Sequence, residues 1–276
     1  MPVPAPTPRH PLADWPGDAR VDLLVVGGGA TGLGIALQAA LEGRRVALAE
    51  ARDFAAGTSS RSTKLLHGGV RYLAQGRIGL VREALRERAT VMALAPHLAQ
   101  PLSFVMPAYR WWQMPFYGGG LMLYDLMAGQ ARLGRTRWLS RSGTLQALRG
   151  VREAGLMGGV AYWDGQFDDA RLALAFARTA QQQGAQLFNH SEVLDLQREH
   201  DELPTVLVRD RLGPAQARIR APCVVNATGV WVDQLRRRQS AGPTAPASPV
   251  SEDVCCEPGH RQNGSVCVTV QWMTAP

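Results

Sequence analysis

Residues 22–34 read DLLVVGGGATGLG, and the rest of the chain is organised around them. Residues 21–26 form a short, nearly unbroken apolar run, which is typical of a parallel strand buried on both faces. Gly27, Gly29 and Gly32 follow at the spacing G-x-G-x-x-G. Residues 30–42 are rich in good helix formers. The stretch therefore predicts a strand, a tight turn and a helix.

The glycine spacing has a chemical reason. Gly27 permits the tight turn, Gly29 lets the backbone approach a pyrophosphate, and Gly32 lets the helix pack closely on the strand. The helix N-terminus offers free N–H groups and a positive dipole end to phosphates. A second predicted strand, residues 45–49, ends in Glu50, where an acidic side chain would bind a ribose hydroxyl. Together these features predict a Rossmann-like nucleotide-binding domain.

The composition narrows the range of partners. The net charge is +7 and the only lysine is Lys64, so almost all basic residues are arginines, an excess that we attribute mostly to genome composition. A diffuse basic surface favours acidic substrates or anionic membranes. We find no recognised nucleic-acid-binding module and expect no nucleic acid partner. The four cysteines show no C-x-x-C pair and no zinc spacing, which predicts no metal site and a reduced, cytoplasmic compartment.

A second informative stretch, residues 57–73, reads GTSSRSTKLLHGGVRYL. Its small residues let the backbone pass close to a flat ligand, and its hydroxyls can bond the ligand's polar edge. Arg71 can hold a phosphate or carboxylate by two parallel hydrogen bonds. This run resembles the signature of FAD-dependent glycerol-3-phosphate dehydrogenases, and it lies at the expected distance from the first glycine motif. The sequence VVNATG at residues 224–229 resembles the second flavin-contacting turn of such proteins.

The resemblance implies an α/β fold: a Rossmann-like FAD-binding domain of the glutathione reductase type, interrupted by an incomplete α+β substrate domain. We expect the resemblance to end near Arg238, because the proline- and serine-rich tail shows no sustained periodicity beyond one short strand near residues 266–271. The expected divisions are a disordered arm (1–19), the discontinuous FAD-binding domain (20–80 and 162–238), a partial substrate domain (81–161) and an irregular tail (239–276).

The resemblance also implies a set of site residues. Arg71 and Tyr72 match positions that the family uses near the substrate phosphate. His67 is a candidate base, although its place in the signature fits packing beside the flavin equally well. The residues expected to hold the cofactor are Gly27, Gly29, Gly32, Glu50, Thr58, Ser59, Ser60, Ser62, Lys64, Val193, Thr228 and Gly229.

The reaction that the resemblance implies is the oxidation of sn-glycerol 3-phosphate to glycerone phosphate, with FAD as cofactor and a membrane quinone as electron acceptor. Glu50 would repel a 2′-phosphate, and the loop after it lacks the arginine cluster expected for NADP. Arginines and tryptophans alternate between residues 110 and 141, which suits peripheral attachment to the inner face of the cytoplasmic membrane. Core tryptophans beside solvated arginines explain the pattern equally well. A homodimer of the full-length protein is left open.

Two alternatives remain open. One is a different flavin oxidase of the same fold, with oxygen as the acceptor. The other is a non-catalytic product, since members of the family continue well beyond Arg238 and the tail indicates a truncation or a reading-frame error. Residues 111–129 are apolar, but Pro115, three consecutive glycines and Asp125 argue against a transmembrane helix.

Overall fold

A computed structural model describes residues 12–15, 17, 19–197, 203–239 and 267–269. The contacts divide the chain into two compact units. The first unit combines Met1–Arg61 with Asp169–Pro276, and the second is Ser62–Asp168. Each unit is described below by itself.

The first unit contains a parallel sheet with β1 (Leu23–Val26) near its centre. Leu24 and Val25 on this strand are fully buried, because both faces of the sheet are covered. One face packs on α1 (Ala30–Leu41) and α6 (Asp169–Gln182). The order of the strands, all parallel to their neighbours, is β12 (Cys267–Thr269), β11 (Cys223–Asn226), β1, β2 (Val46–Ala49) and β7 (Gln186–Phe188). The short strand expected near residues 266–271 corresponds to β12.

The other face of this sheet packs on a smaller antiparallel sheet. Val206, Val208 and Ile219 of this second sheet are fully buried in the shared core. The strands are β8 (Ser191–Gln197), β9 (Thr205–Asp210) and β10 (Gln216–Arg220), with β9 in the middle. Helix α7 (Val232–Gln239) follows β11.

The expectation of a disordered arm over residues 1–19 fails where the structure describes that segment. Leu12 and Trp15 are buried in the core beside the antiparallel sheet. The Trp15 ring meets Phe188 edge to face at 5.5 Å, and its indole N–H donates to the carbonyl oxygen of Arg218 at 3.3 Å. The expectation from the sequence missed these two apolar anchors. Residues 1–11 lie outside the described residues.

The second unit is built around one long strand, β6 (Gly158–Phe167). β4 (Ala99–Ala108) pairs antiparallel along its whole length. Two shorter strands, β3 (Leu65–Leu66) and β5 (Arg137–Ser140), pair with its opposite ends. The helices of this unit are α2 (Val70–Ala74), α3 (Ile78–Leu94), α4 (Gln113–Ala128) and α5 (Arg141–Ala147). Because β3 pairs with β6, the unit begins at Ser62 and ends at Asp168, outside the boundaries of 81 and 161 expected from the sequence.

The apolar stretch predicted not to cross a membrane forms α4. Pro115 lies in the first turn of this helix, where its missing N–H is not needed. Gly118 faces the Trp138 ring so closely that a Cβ would overlap it. Within the described ranges, no helix is long and apolar enough to span a bilayer.

The burial of Trp15 leads to a stability prediction. Trp15→Ala should lower the free energy of unfolding by about 3–5 kcal/mol, since it removes a large buried ring and leaves a cavity. Chemical denaturation of the purified chain measures this difference. Trp111→Ala is the matched control, because the Trp111 side chain is 75% exposed, and it should change stability by less than about 0.5 kcal/mol. Equal effects of the two substitutions would contradict the anchoring role of Trp15.

Candidate functional site

The first glycine turn joins β1 to α1. Gly27 has a φ of +112°, a conformation that glycine alone adopts readily. A Cβ on Gly27 would overlap the carbonyl oxygen of Ala227, and a Cβ on Gly32 would overlap the carbonyl oxygen of Gly27. Packing of the turn and of the helix therefore requires glycine at both positions.

Gly29 differs from its two partners because no backbone atom lies close to the position of a Cβ. Among the described residues, a Cβ there would meet the Ser59 hydroxyl at 3.1 Å and no other atom within 4 Å. Gly29 lines a cavity of about 560 Å³, a size common for small-molecule sites. Helix α1 begins at the next residue, Ala30, which also lines the cavity. The positive end of the helix dipole is therefore directed at this space.

Glu50 follows β2 directly and also lines the cavity. One carboxylate oxygen accepts a hydrogen bond from the Gly28 N–H at 2.6 Å, and the other accepts one from the Arg52 N–H at 2.8 Å. Two backbone donors thus hold the carboxylate in one orientation. Each oxygen keeps a further lone pair, so the group can also accept hydrogen bonds from ribose hydroxyls.

Ser59 connects the second signature stretch to α1. It lies in a short 3-10 turn, Thr58–Ser60, and its hydroxyl oxygen accepts a hydrogen bond from the Ala30 N–H at 2.8 Å. The helix has Gly29 at its N-cap, which offers no side chain. Ser59 therefore supplies from a distant loop the cap that a local serine or threonine usually provides.

The second glycine turn follows β11 and faces the same cavity. The Asn226 side-chain oxygen accepts hydrogen bonds from the Thr228 N–H at 3.3 Å and from the Thr228 hydroxyl at 2.7 Å. The Asn226 amide donates to the carbonyl oxygen of Val232 at 3.1 Å, which ties the turn to the start of α7. Gly229 has a φ of +59°. Thr228 and Gly229 both line the cavity.

The sequence-based prediction did not include two arginines and a tryptophan that line the cavity. The Arg52 guanidinium lies over the Trp231 ring, 4.7 Å from its centroid, in a cation–π contact. A Cβ on Gly57 would come within 3.1 Å of the same ring. Arg211 donates to the carbonyl oxygen of Ala51 at 2.9 Å. The loop after Glu50 thus contains one arginine, Arg52, and is contacted by a second, Arg211. Arg211 comes from the β9–β10 turn, and no local pattern could have indicated it.

The predicted site residues fall into three groups. Those that line the cavity are Gly27, Gly29, Glu50, Thr58, Ser59, Val193, Thr228 and Gly229. Gly32 and Ser60 belong to the same unit without lining the cavity, and Ser62, Lys64, His67, Arg71 and Tyr72 belong to the second unit.

The positions in the second unit lie close together along the chain. Lys64 has a left-handed backbone, with a φ of +57°, which is uncommon for a residue other than glycine. The His67 side chain is exposed. Arg71 and Tyr72 occupy consecutive positions in α2.

The residues that build the cavity fall within a match to a known protein family. A family model described as "DAO: FAD dependent oxidoreductase" matches residues 22–264. The match continues past Arg238, where the resemblance was expected to end. It covers most of the chain and includes both glycine turns, Glu50 and Ser59.

Individual relatives agree with the family match. Glycerol-3-phosphate dehydrogenase of Mycobacterium leprae is 46% identical over 239 residues, which are 85% of this chain and 41% of that protein. The mitochondrial glycerol-3-phosphate dehydrogenase of Bos taurus is 42% identical over 255 residues, which are 88% of this chain and 35% of that protein. The chain thus spans about two-fifths of the length of these curated relatives.

A solved structure gives the same result. The glycerol-3-phosphate dehydrogenase of Bacillus halodurans complexed with FAD superposes with a TM-score of 0.63 at 34% identity, covering 82% of this chain and 38% of that chain. The predicted fold class, the predicted cofactor FAD and the resemblance to glycerol-3-phosphate dehydrogenases are confirmed by these matches. Because the matched residues include both glycine turns and the loop that carries Ser59, the chain belongs to the FAD-dependent oxidoreductase family.

Proposed function

We propose that this chain forms the FAD-binding part of an enzyme that oxidises sn-glycerol 3-phosphate to glycerone phosphate and passes the electrons to a quinone. The observation that carries the proposal is the cavity, in which two glycine turns, the Glu50 carboxylate and Ser59 border one space. The choice of substrate rests on the similarity to glycerol-3-phosphate dehydrogenases.

The residues of the cavity fit the ADP half of FAD. The start of α1 and the Cα of Gly29 offer a positive, uncrowded place for a pyrophosphate. The Glu50 carboxylate, held by two N–H donors, suits the ribose hydroxyls. Thr58, Val193, Thr228 and Gly229 complete the lining. When bound, the cofactor supplies the acceptor for the hydride of the substrate's C2, and the chain supplies binding and orientation.

Gly29 and Gly34 provide a matched pair for testing cofactor binding. Gly29→Val should abolish flavin retention, because its side chain would occupy the place of the pyrophosphate and would press on the Ser59 hydroxyl. Gly34→Ala lies in the same helix with no described atom within 4 Å of its Cβ. It should keep the flavin and stabilise the chain by up to about 1 kcal/mol. The flavin absorbance of the purified variants measures occupancy, and unchanged flavin in Gly29→Val would contradict the proposal.

The second unit would carry the substrate. Arg71 and Tyr72 are proposed to hold the phosphate, and His67 is the candidate base for the proton of the C2 hydroxyl. Ser62 and Lys64 are proposed to line the flavin. A phosphate held by a guanidinium gains a charge-assisted, two-point contact that an uncharged substrate lacks.

This difference in charge sets the test of the substrate. Arg71→Ala should weaken the apparent affinity for glycerol 3-phosphate roughly ten- to a hundredfold, since a charge-assisted contact is worth about 1.5–3 kcal/mol. The activity with uncharged glycerol should not change. Arg82→Ala is the control, because Arg82 is an exposed arginine of α3. A dye-linked assay measures both substrates, and equal losses towards both would rule out phosphate binding by Arg71.

The same assay separates the alternatives. Release of hydrogen peroxide in air at a rate that matches turnover would indicate an oxidase rather than a quinone-linked dehydrogenase. A purified chain that retains no flavin and shows no turnover would indicate the non-catalytic product.

Helix α4 supports peripheral attachment to a membrane. Its exposed apolar side chains recur on one face of the helix. Phe116 is 62% exposed and Leu126 is 76% exposed. Trp111, which precedes the helix, is 75% exposed. Exposed arginines precede α4 in the sequence at Arg110 and follow it at Arg135 and Arg137. Exposed aromatic rings beside cations suit the headgroup region of an anionic bilayer. The exposure of Trp111 argues against its interpretation as a core residue.

Vesicle sedimentation tests this attachment. The chain should bind vesicles of phosphatidylcholine with about a third phosphatidylglycerol. The double variant Phe116→Ser/Leu126→Ser should bind at least about tenfold more weakly, because each removed side chain contributes about 1.5–3 kcal/mol of burial. Leu41→Ser, in α1, is the exposed control and should bind normally. Equal binding by all variants would exclude α4 as the attachment face. Concentration-dependent dimers that the double variant abolishes would assign this face to a second copy of the chain.

A further inference from the structure

The second unit buries an ion pair that the proposed function does not use. Arg88 on α3 and Asp164 on β6 approach to 2.8 Å, with 2% and 3% of their side chains exposed. The Tyr124 hydroxyl of α4 donates to the other oxygen of Asp164 at 3.2 Å. Burial and the Asp164 charge raise the pKa of Tyr124, so its hydroxyl stays a neutral donor. Arg88 also donates to the carbonyl oxygen of Ala131 at 3.1 Å.

Stability alone is a weak reason for this arrangement. Removing two charges from water costs about as much as their attraction returns, and apolar pairs of the same volume often do as well. The Arg88 Nε is buried without a hydrogen-bond partner in the described part of the chain, which adds to the cost. We therefore look for a role in orienting other groups. Hydrogen bonds fix the orientation of the groups that they join, whereas apolar contacts do not.

The backbone group that Asp164 orients is the N–H of Gly68. The oxygen that meets Arg88 also accepts a hydrogen bond from the Gly68 N–H at 3.2 Å. Gly68 is packed so closely that a Cβ would overlap the Tyr124 hydroxyl. The turn before α2 is thus held by a charge on one side and by a phenol on the other.

This turn determines where α2 begins. Gly69, next to Gly68, has a left-handed backbone with a φ of +77° and is the N-cap of α2. Its carbonyl oxygen accepts the Tyr72 N–H at 2.9 Å. The carbonyl oxygen of Tyr72 in turn accepts the Arg77 N–H at 2.9 Å, just before α3. A shift of Gly68 would therefore displace the backbone of the whole helix.

We infer that Asp164, oriented by Arg88 and Tyr124, is a positioning residue that holds the backbone of α2 in place. Its meaning for the substrate rests on the proposed function, in which α2 presents Arg71 and Tyr72 to the phosphate. Asp164 is too deeply buried to touch a substrate, and its oxygens accept hydrogen bonds from Arg88, Tyr124 and Gly68. It acts only through the turn.

Hydrogen exchange of the purified chain, followed by mass spectrometry, tests the inference. In Asp164→Asn the amides of residues 66–75 should exchange at least tenfold faster, while those of β4 keep their protection. Tyr124→Phe keeps the ion pair and removes the hydroxyl that donates to Asp164 and accepts from Arg88. It should speed exchange in residues 66–75 several-fold. Asp233→Asn is the control, because it weakens an exposed ion pair with Arg236 and should leave residues 66–75 unchanged.

Two results would overturn the inference: unchanged exchange at residues 66–75 in Tyr124→Phe, or faster exchange spread evenly over the second unit. If Asp164→Asn does not fold, Tyr124→Phe decides. A second arm adds glycerol 3-phosphate. It should slow exchange at residues 66–75 in the original chain and not in Asp164→Asn. Absence of this slowing in the original chain, with the local effect of Asp164→Asn intact, supports the inference and counts against the proposed substrate alone.

Discussion

The contact between the Cα of Gly32 and the carbonyl oxygen of Gly27 is the constraint on which the first unit depends. It brings α1 against the end of β1 more closely than any side chain would allow. The helix can then cover the sheet while its N-terminus faces the cavity beyond the carboxyl end of β1. The apolar run of β1 explains why the sheet forms. The close contact between Gly32 and Gly27 explains the site, because it directs the dipole of α1 at the cavity.

Distant parts of the chain then border the space that this approach opens. Ser59 caps α1 from the loop after β2, and the Asn226 side chain shapes the turn after β11. The Trp231 ring lies close to Gly57 and under the Arg52 guanidinium. The contacts of Ser59 and of Trp231 join segments that are far apart in sequence, so the cavity is a property of the packed unit and not of one motif.

Much of the first unit could be predicted from the sequence, because its signals are local. The buried strand, the glycine spacing, Glu50 and the second turn each depend on neighbouring residues. Trp15 was missed since its partners, Phe188 and Arg218, are remote. The same reason hides Arg211 beside Ala51 and the buried Arg88–Asp164 pair. A pattern in one segment indicates which face is apolar, but it does not indicate which other segment will cover that face.

The pairing of β3 with β6 has a consequence for chain entropy. The N–H of Phe167 donates to the carbonyl oxygen of Lys64 at 3.0 Å, so the segment that enters the second unit lies beside the segment that leaves it. Once this unit has formed, β2 and α6 of the first unit are joined as if by a short loop. The cost of closing a flexible loop grows with the logarithm of its length, so a roughly tenfold shorter effective loop spares about 2 kcal/mol. The second unit can therefore be inserted between two strands of the parallel sheet at a small entropic cost, because the pairing of β3 with β6 holds its two ends together.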